Sequence, residues 1–419
     1  MAEHVLDMAK KCLQCKNPGC QKGCPIGTPI KDMINLLLQG NINKAGEMLF
    51  ENNPLSVICS VVCPHENQCE GNCVLGIKSS SVKISNIENY ISNYTLKLID
   101  LKPKVKREGN IGIIGSGPAG ITIALLLALE GYNITIFEAK NDIGGMLRYG
   151  IPEFRLPKDV LDKIKNRLEE LGVIIRPNIL VGSVITIEEL FRDGFDALFI
   201  ATGLWKPNKL NIKGESLGHV HYAIDYLREP GAYKLGNKVC IIGAGNVAMD
   251  VARTAIRKGS KEVTIMFRGG FENMTATKHE IEYAKLDGVK FELYKNPVEV
   301  TKEGIVYIKS KIVSDEDGER YIAVDDSKEL FECDSIIAAV SQGPRTNIIS
   351  TTKGIEVNEK GLPIVDEDGR TTKEGVFASG DVVTGAGTVV GAVKYSKQVA
   401  KAIDKYVTEK YENQVNKVD

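Results

Sequence analysis

Hydrophobic and polar positions along this chain change rhythm near residue 100. Before it, Ile30 to Leu38 and Ile42 to Phe50 carry apolar residues at helical spacing, separated by Gly40 and Asn41. They predict two helices joined by a turn. Val82 to Leu101 continues the helical rhythm. A charged stretch, Lys102-Pro103-Lys104-Val105-Lys106-Arg107-Glu108, then breaks it and predicts a domain boundary near residue 105. Beyond that point the pattern is strand, glycine turn, helix, strand. Ile111 to Ile114 is a short β-branched run, Ile121 to Glu130 a helix, and Asn133 to Phe137 a second strand. The same order returns at Val239 to Ile242, Met249 to Lys258 and Glu262 to Phe267. The pattern predicts an α/β chain with a helical N-terminal segment.

Composition narrows the reading. With 419 residues, two to four domains are expected. Lys and Arg number 53 against 54 Asp and Glu, a net charge of −1. That balance gives no reason to expect nucleic acid or an anionic membrane as partner. Ile121 to Leu129, among the most apolar stretches, has about half the length of a membrane span. With no apolar leader and cleavage site at the N-terminus, a cytoplasmic protein is expected. The 41 glycines suit a nucleotide-binding fold rich in tight turns.

Eight of the ten cysteines fall within the first 73 residues. Cys12, Cys15, Cys20 and Cys24 form one quartet, followed by Pro25. Cys59, Cys63, Cys69 and Cys73 form another, with Pro64 after its second member. Zinc sites usually take two close pairs separated by a longer arm. Three short successive gaps with Cys-Pro resemble the iron–sulfur runs of ferredoxins, where several thiolates must converge on one compact cluster. In two-cluster ferredoxins the fourth cysteine of a run ligates the other cluster, so Cys24 can cross over. Two structural zinc sites are the alternative. Cys240 and Cys333 stand apart and read as core cysteines.

The turn Gly115-Ser116-Gly117-Pro118-Ala119-Gly120 lies between strand and helix, and Glu138 closes the next strand 18 residues after Gly120. This is a dinucleotide-binding βαβ unit. Its first glycine allows the tight turn, the second lets the pyrophosphate approach, and the third packs helix on strand. The pyrophosphate would lie at the helix N-terminus, and Glu138 can bind ribose hydroxyls. The second turn is Gly243-Ala244-Gly245-Asn246-Val247-Ala248, and its closing strand ends at Arg268. An acid there favours NAD, whereas an arginine can hold a 2′-phosphate. The first unit therefore reads as the FAD site and the second as an NADPH site, although Gly269 and Gly270 leave no second arginine beside Arg268.

Phe199-Ile200-Ala201-Thr202-Gly203 and Gly375-Val376-Phe377-Ala378-Ser379-Gly380-Asp381 are two further strands ending in small residues. They resemble the two-dinucleotide-binding-domain flavoproteins. The resemblance implies that Gly380-Asp381 binds the flavin chain, Asp381 through a ribityl hydroxyl. It also implies that backbone N–H groups near Thr388, Val389 and Val390 face the flavin. An Asx turn or helix cap is the plain alternative for Asp381. The order predicts an iron–sulfur domain over 1–105, a FAD domain over 106–232 and 335–419, and an NADPH domain over 233–334 inserted within it.

A narrower resemblance rests on Gly144-Gly145-Met146-Leu147-Arg148-Tyr149-Gly150-Ile151-Pro152-Glu153-Phe154-Arg155-Leu156-Pro157-Lys158, on both cysteine quartets, and on Arg268 with Glu272-Asn273-Met274. Together these resemble the glutamate synthase small-subunit family. That family includes the N-terminal half of dihydropyrimidine dehydrogenase and the large subunit of NADH-dependent ferredoxin–NADP oxidoreductase. The resemblance implies flavin-side roles for Gly145, Met146, Leu147 and Arg155. It implies one 4Fe-4S cluster on Cys12, Cys15, Cys20 and Cys73, and another on Cys24, Cys63, Cys69 and Glu88. Cys59 is then spare, or is itself the eighth ligand. The activity implied is hydride transfer between NADPH and FAD, with single electrons leaving through the clusters to a redox partner subunit. That partner is of the synthase type, or a small flavin and iron–sulfur subunit if the chain belongs to a bifurcating transhydrogenase. No acid–base catalytic residue is expected for the hydride step.

Overall fold

A computed structural model describes residues 4–103, 105–315 and 318–415. Lys104, in the expected linker, lies outside them. The described chain forms two compact units. One gathers Met1–Arg148, Glu153–Leu204 and Pro344–Asp419, and the other Tyr149–Pro152 and Trp205–Gly343.

After the short helices Val5–Lys10 and Gly19–Lys22 the first unit carries the predicted helices. Ile30–Leu38 and Ile42–Asn52 pack around the helix Ile84–Leu98. This last helix ends three residues short of the sequence expectation, before Pro103, which cannot continue it. Ile84, Ile87, Ile91 and Leu96 form its buried stripe, the apolar face an amphipathic helix presents to a core. Gly46 lets the Ile42–Asn52 helix approach closely, because a Cβ there would run into the Thr95 side chain. The helix Ser56–Val62 is tied to Ile84–Leu98 by Ser56 and Ser92, whose hydroxyls lie 2.9 Å apart. It also packs on the C-terminal helix Val389–Val415. There Lys397 Nζ donates to the carbonyl oxygens of Asn52 at 2.6 Å and Glu51 at 3.1 Å.

The rest of this unit is a five-stranded parallel sheet in the order Val376–Ala378, Ala197–Ile200, Asn110–Ile114, Asn133–Phe137, Ile174–Arg176. Parallel strands need covered faces. The helix Pro118–Glu130 is apolar on every side and buried along most of its length, because it lies between the sheet and the C-terminal helix. It begins three residues earlier than its apolar run suggests. Pro118 takes the first helical position, where no N–H partner is needed.

The second unit contains another parallel sheet, ordered Val220–Tyr222, Ser335–Ala338, Lys238–Ile242, Glu262–Phe267, Lys290–Leu293. Its edge strand Val220–Tyr222 lies before residue 233, where the sequence places the start of the inserted domain. Cys240 and Cys333 are both buried in its core. An antiparallel sheet of Lys295–Thr301, Gly304–Asp315 and Gly318–Glu332 completes it, an element the hydrophobic pattern does not predict. Among the described residues no helix is long and apolar enough to cross a membrane.

Candidate functional site

The three glycines of the first turn differ in what surrounds them. Gly115 has φ +98°, and a Cβ on it would lie 2.6 Å from the Ala201 carbonyl oxygen and 3.1 Å from Thr202 Cα. A Cβ on Gly120 would strike the Gly115 carbonyl oxygen. Gly117 has ordinary backbone geometry, and nothing lies within 4 Å of where its Cβ would be. The first and third glycines are thus required by the fold, while the second opens onto free space at the N-terminus of the Pro118–Glu130 helix. An anion fits such a place, where unpaired N–H groups and the helix dipole face outward.

Other segments singled out by sequence meet at this turn. Gly144 N donates to the Ser116 carbonyl at 2.9 Å, and a Cβ on Gly145 would lie 2.8 Å from Gly117 Cα. Met146 and Leu147 start a short helix there, Met146–Tyr149. Thr202 and Gly203 follow the neighbouring strand Ala197–Ile200. A Cβ on Gly380 (φ +79°) would come 3.0 Å from Ala119 Cβ. Asp381 therefore stands beside the same helix N-terminus, and its Oδ1 accepts from Gly387 N at 3.1 Å. Burial pushes the Asp381 carboxyl up to about 6. Val389 opens the C-terminal helix immediately after Thr388, whose Oγ1 accepts from Gly391 N at 3.2 Å. Arg155 is half-buried in this unit.

Glu138 is buried and already engaged. Its Oε2 accepts from Ser116 N at 2.9 Å and from the Ser116 hydroxyl, and its Oε1 from Lys140 N at 2.8 Å. The carboxylate braces the glycine turn from below. Oε2 is thereby filled, and Oε1 retains a further lone pair for a ribose hydroxyl.

The second turn repeats the plan. A Cβ on Gly243 (φ +136°) would strike the Ala339 carbonyl. Gly245 has only Thr275 Oγ1, at 3.4 Å, near its missing Cβ. Asn246 starts the helix Asn246–Arg257 and its Oδ1 accepts from Thr277 N at 2.9 Å. Val247 is half-buried and Ala248 fully buried against the core. Arg268 is exposed just past the strand Glu262–Phe267.

The thiols fall into two neighbourhoods. Cys12, Cys15, Cys20 and Cys73 line one pocket together with Leu13, Lys31 and Val74. Burial pushes the Cys12 and Cys20 thiols up, and neighbouring thiols of the same set add to it. The second neighbourhood holds Cys59, Cys63, Cys69 and Glu88, with Cys24 acting on Cys69. Cys63 is pushed up by a hydrogen bond shared with the Cys59 thiol and by burial. Burial, then the carboxylates of Glu88 and Glu70, raise Cys69. Glu88 lies on the Ile84–Leu98 helix one turn after Ile84, inside the apolar stripe. Burial alone pushes its carboxyl up to about 8. A carboxylate in such a stripe is costly unless a cation or metal pairs with it. Among the described residues no three His, Cys, Asp or Glu side chains close on a single point as one bare ion requires. A cubane cluster has separated iron corners, and thiolates spread around a pocket suit it.

Comparison with known proteins gives these features a family. The pyridine nucleotide-disulphide oxidoreductase model matches residues 109–396. The model of dihydropyrimidine dehydrogenase domain II, 4Fe-4S cluster, matches residues 1–98. The NADPH glutamate synthase small chain of Halomonas elongata is 34% identical, covering 95% of this chain and 90% of its own. The chain belongs to the glutamate synthase small-subunit family. The PreT subunit of NAD-dependent dihydropyrimidine dehydrogenase from Escherichia coli, 32% identical over 95% of this chain and 93% of its own, is another relative. Among solved structures, Mycobacterium tuberculosis FprA in complex with NADPH aligns with a TM-score of 0.61 at 20% identity, over 74% of this chain and 86% of its own. That likeness shows a shared fold.

This glutamate synthase small-subunit relative is an NAD(P)H-dependent iron–sulfur flavoprotein oxidoreductase, with FAD, NADPH and 4Fe-4S chemistry as its cofactor set. The residues present fit those groups. The open face of Gly117 admits a pyrophosphate, and a thiol-lined pocket admits a cluster. Sequence reasoning missed the part of Ser116, which fixes Glu138, and of Lys31 in the first thiol pocket. Ser116 was legible only as a member of the glycine turn, and Lys31 carried no signal.

Proposed function

We propose that this chain is the electron-entry subunit of a larger oxidoreductase, taking hydride from NADPH onto FAD and passing single electrons through two 4Fe-4S clusters to a partner subunit. The observation that carries this reading is the sorting of the thiols into two neighbourhoods, one gathered about the buried Cys69 and Glu88 and the other of half-buried thiols lining a pocket. FAD, when bound, supplies the conversion between hydride and single electrons, which iron–sulfur clusters alone cannot perform.

The chain's own residues divide the work. Gly115, Gly117, Pro118, Ala119 and Gly120 form the pyrophosphate turn, braced by Glu138. Gly145, Met146, Leu147, Arg155, Thr202, Gly203, Gly380, Asp381, Thr388 and Val389 are assigned to the remainder of FAD. Gly243, Gly245, Asn246, Val247, Ala248 and Arg268 are assigned to NADPH. In our reading Cys24, Cys63, Cys69 and Glu88 hold the inner cluster. Its helix Ser56–Val62 packs on the C-terminal helix, whose N-terminus begins at Val389 beside the FAD turn. Cys12, Cys15, Cys20 and Cys73 hold the outer one.

The rim of the outer set supports a docking role for that face. Leu13 is 60% exposed, Val74 44% and Ile77 81%. Every charged residue from Lys10 through Lys31 is a lysine, five in a chain whose net charge is −1. An apolar patch in a basic setting suits a partner that presents carboxylates around its own redox centre.

Anaerobic purification from the native host, followed by identification of the co-purifying chains, tests the partner. A large synthase subunit supports the glutamate synthase role. A smaller flavin and iron–sulfur subunit assigns the chain to a bifurcating transhydrogenase instead. A protein that recovers no redox partner and reduces soluble dyes as well alone as in the extract contradicts the electron-entry reading.

A further inference from the structure

The antiparallel sheet of the second unit has no part in the assignments above, yet it grips the residue proposed to read the dinucleotide. Arg268 Cζ stands 4.4 Å over the centre of the Tyr321 ring. Tyr321 comes from the strand Gly318–Glu332 and also meets Phe267 edge-on, with ring centres 6.2 Å apart. The same sheet holds the Arg268 backbone, because the buried Ser310 hydroxyl donates to the Arg268 carbonyl at 2.7 Å. Gly269 follows Arg268, and a Cβ on it would come 2.9 Å from Tyr321 Cε1. The glycine that denies this turn a second arginine is also what gives the tyrosine ring its place.

We propose that Tyr321 is a positioning residue for dinucleotide choice. Its ring holds the Arg268 guanidinium flat at the end of the Glu262–Phe267 strand. One face of the guanidinium is occupied by the ring. The opposite face is left for an adenine, and the edge N–H groups for a 2′-phosphate. An arginine side chain has several rotatable bonds, and fixing it in advance reduces what binding must order. The stacking of guanidinium on ring supplies the fixing force. Among the described residues no carboxylate forms an ion pair with Arg268.

The inference rests on Arg268 reading the 2′-phosphate, and the experiment separates the two claims. Steady-state KM and kcat for NADPH and NADH are measured on the intact holoprotein with a neutral quinone as acceptor, together with inhibition by 2′,5′-ADP. The variants are Arg268→Ala, Tyr321→Ala and Tyr321→Phe. Loss of an exposed cation–ring contact is expected to raise KM for NADPH and Ki for 2′,5′-ADP by roughly two- to five-fold in Tyr321→Ala. KM for NADH and both kcat values should stay as in the parent, and Tyr321→Phe should restore the parent values. A Tyr321→Ala protein with unchanged NADPH preference, beside an Arg268→Ala protein that has lost it, overturns the role of Tyr321 alone. If Arg268→Ala also keeps the preference, the reading of Arg268 fails as well. A Tyr321→Ala variant that weakens both nucleotides equally marks the ring as merely structural and likewise overturns the proposal.

Discussion

Gly117 and Gly120 lie three residues apart in one turn, and the structure predicts opposite outcomes for the same substitution. In Gly117→Ala the added methyl meets nothing within 4 Å and the backbone is already in a region any residue adopts. Stability without flavin should be unchanged or rise by about 0.4–1 kcal/mol, because alanine restricts the unfolded chain. The same methyl stands where the pyrophosphate must approach. Losing charge-assisted hydrogen bonds worth about 1.5–3 kcal/mol should weaken FAD by roughly ten- to a hundred-fold. In Gly120→Ala the methyl strikes the Gly115 carbonyl oxygen, a backbone atom that cannot swing aside. That overpacking should cost about 1–3 kcal/mol of stability even without flavin. Thermal melts of flavin-free protein and fluorimetric FAD titrations on both variants give the four numbers. A Gly117→Ala protein that keeps stoichiometric FAD with parental affinity would refute the assignment of the open face to pyrophosphate. A Gly120→Ala protein that melts with the parent would refute the packing argument.

Three further outcomes are expected. Asp381 has its carboxyl raised by burial to about 6, so the stability the neutral group contributes is lost as pH rises from the ordinary carboxylate range through that value. A ribityl hydroxyl donating to the carboxylate favours the charged form. FAD binding should therefore tighten between pH 5 and pH 7, by at most ~tenfold per unit below the raised value. Asp381→Asn should flatten the profile, and a persisting slope in that variant would exclude Asp381 as its source. Glu88→Ala should lower anaerobic iron content from about eight to about four per chain, while Cys59→Ala keeps it, and the reverse result would make Cys59 the ligand. Gly46→Ala places a methyl in the Thr95 side chain and should lower the first thermal transition by a cost of about 1–3 kcal/mol; an unshifted transition would contradict the close helix approach.

What was legible in the sequence is what local rules decide. The strand bounds Asn133–Phe137 and Glu262–Phe267 follow from β-branched runs, and the glycine turns from their spacing. Glu88 entered through a family resemblance, yet Ile84, Ile87 and Ile91 already put it on the buried face of a helix. The antiparallel sheet was not legible, because Lys309, Lys311 and Glu329 stand among its apolar positions and blur the two-residue period. Val220–Tyr222 is three residues long, too short to announce itself by pattern. The grip of Ser116 on Glu138 and of Tyr321 on Arg268 joins residues 22 and 53 positions apart. Tertiary packing alone brings such pairs together.

In the proposed function electrons enter from NADPH and leave through the clusters. Anaerobic rapid mixing of the holoprotein with NADPH, followed by flavin absorbance and by freeze-quenched electron paramagnetic resonance, tests it directly. Flavin bleaching followed by a reduced iron–sulfur signal is expected. Glu88→Ala should remove part of that signal without slowing the bleaching. Flavin that bleaches fully while the clusters stay oxidised, with the partner subunit present, would contradict this electron route.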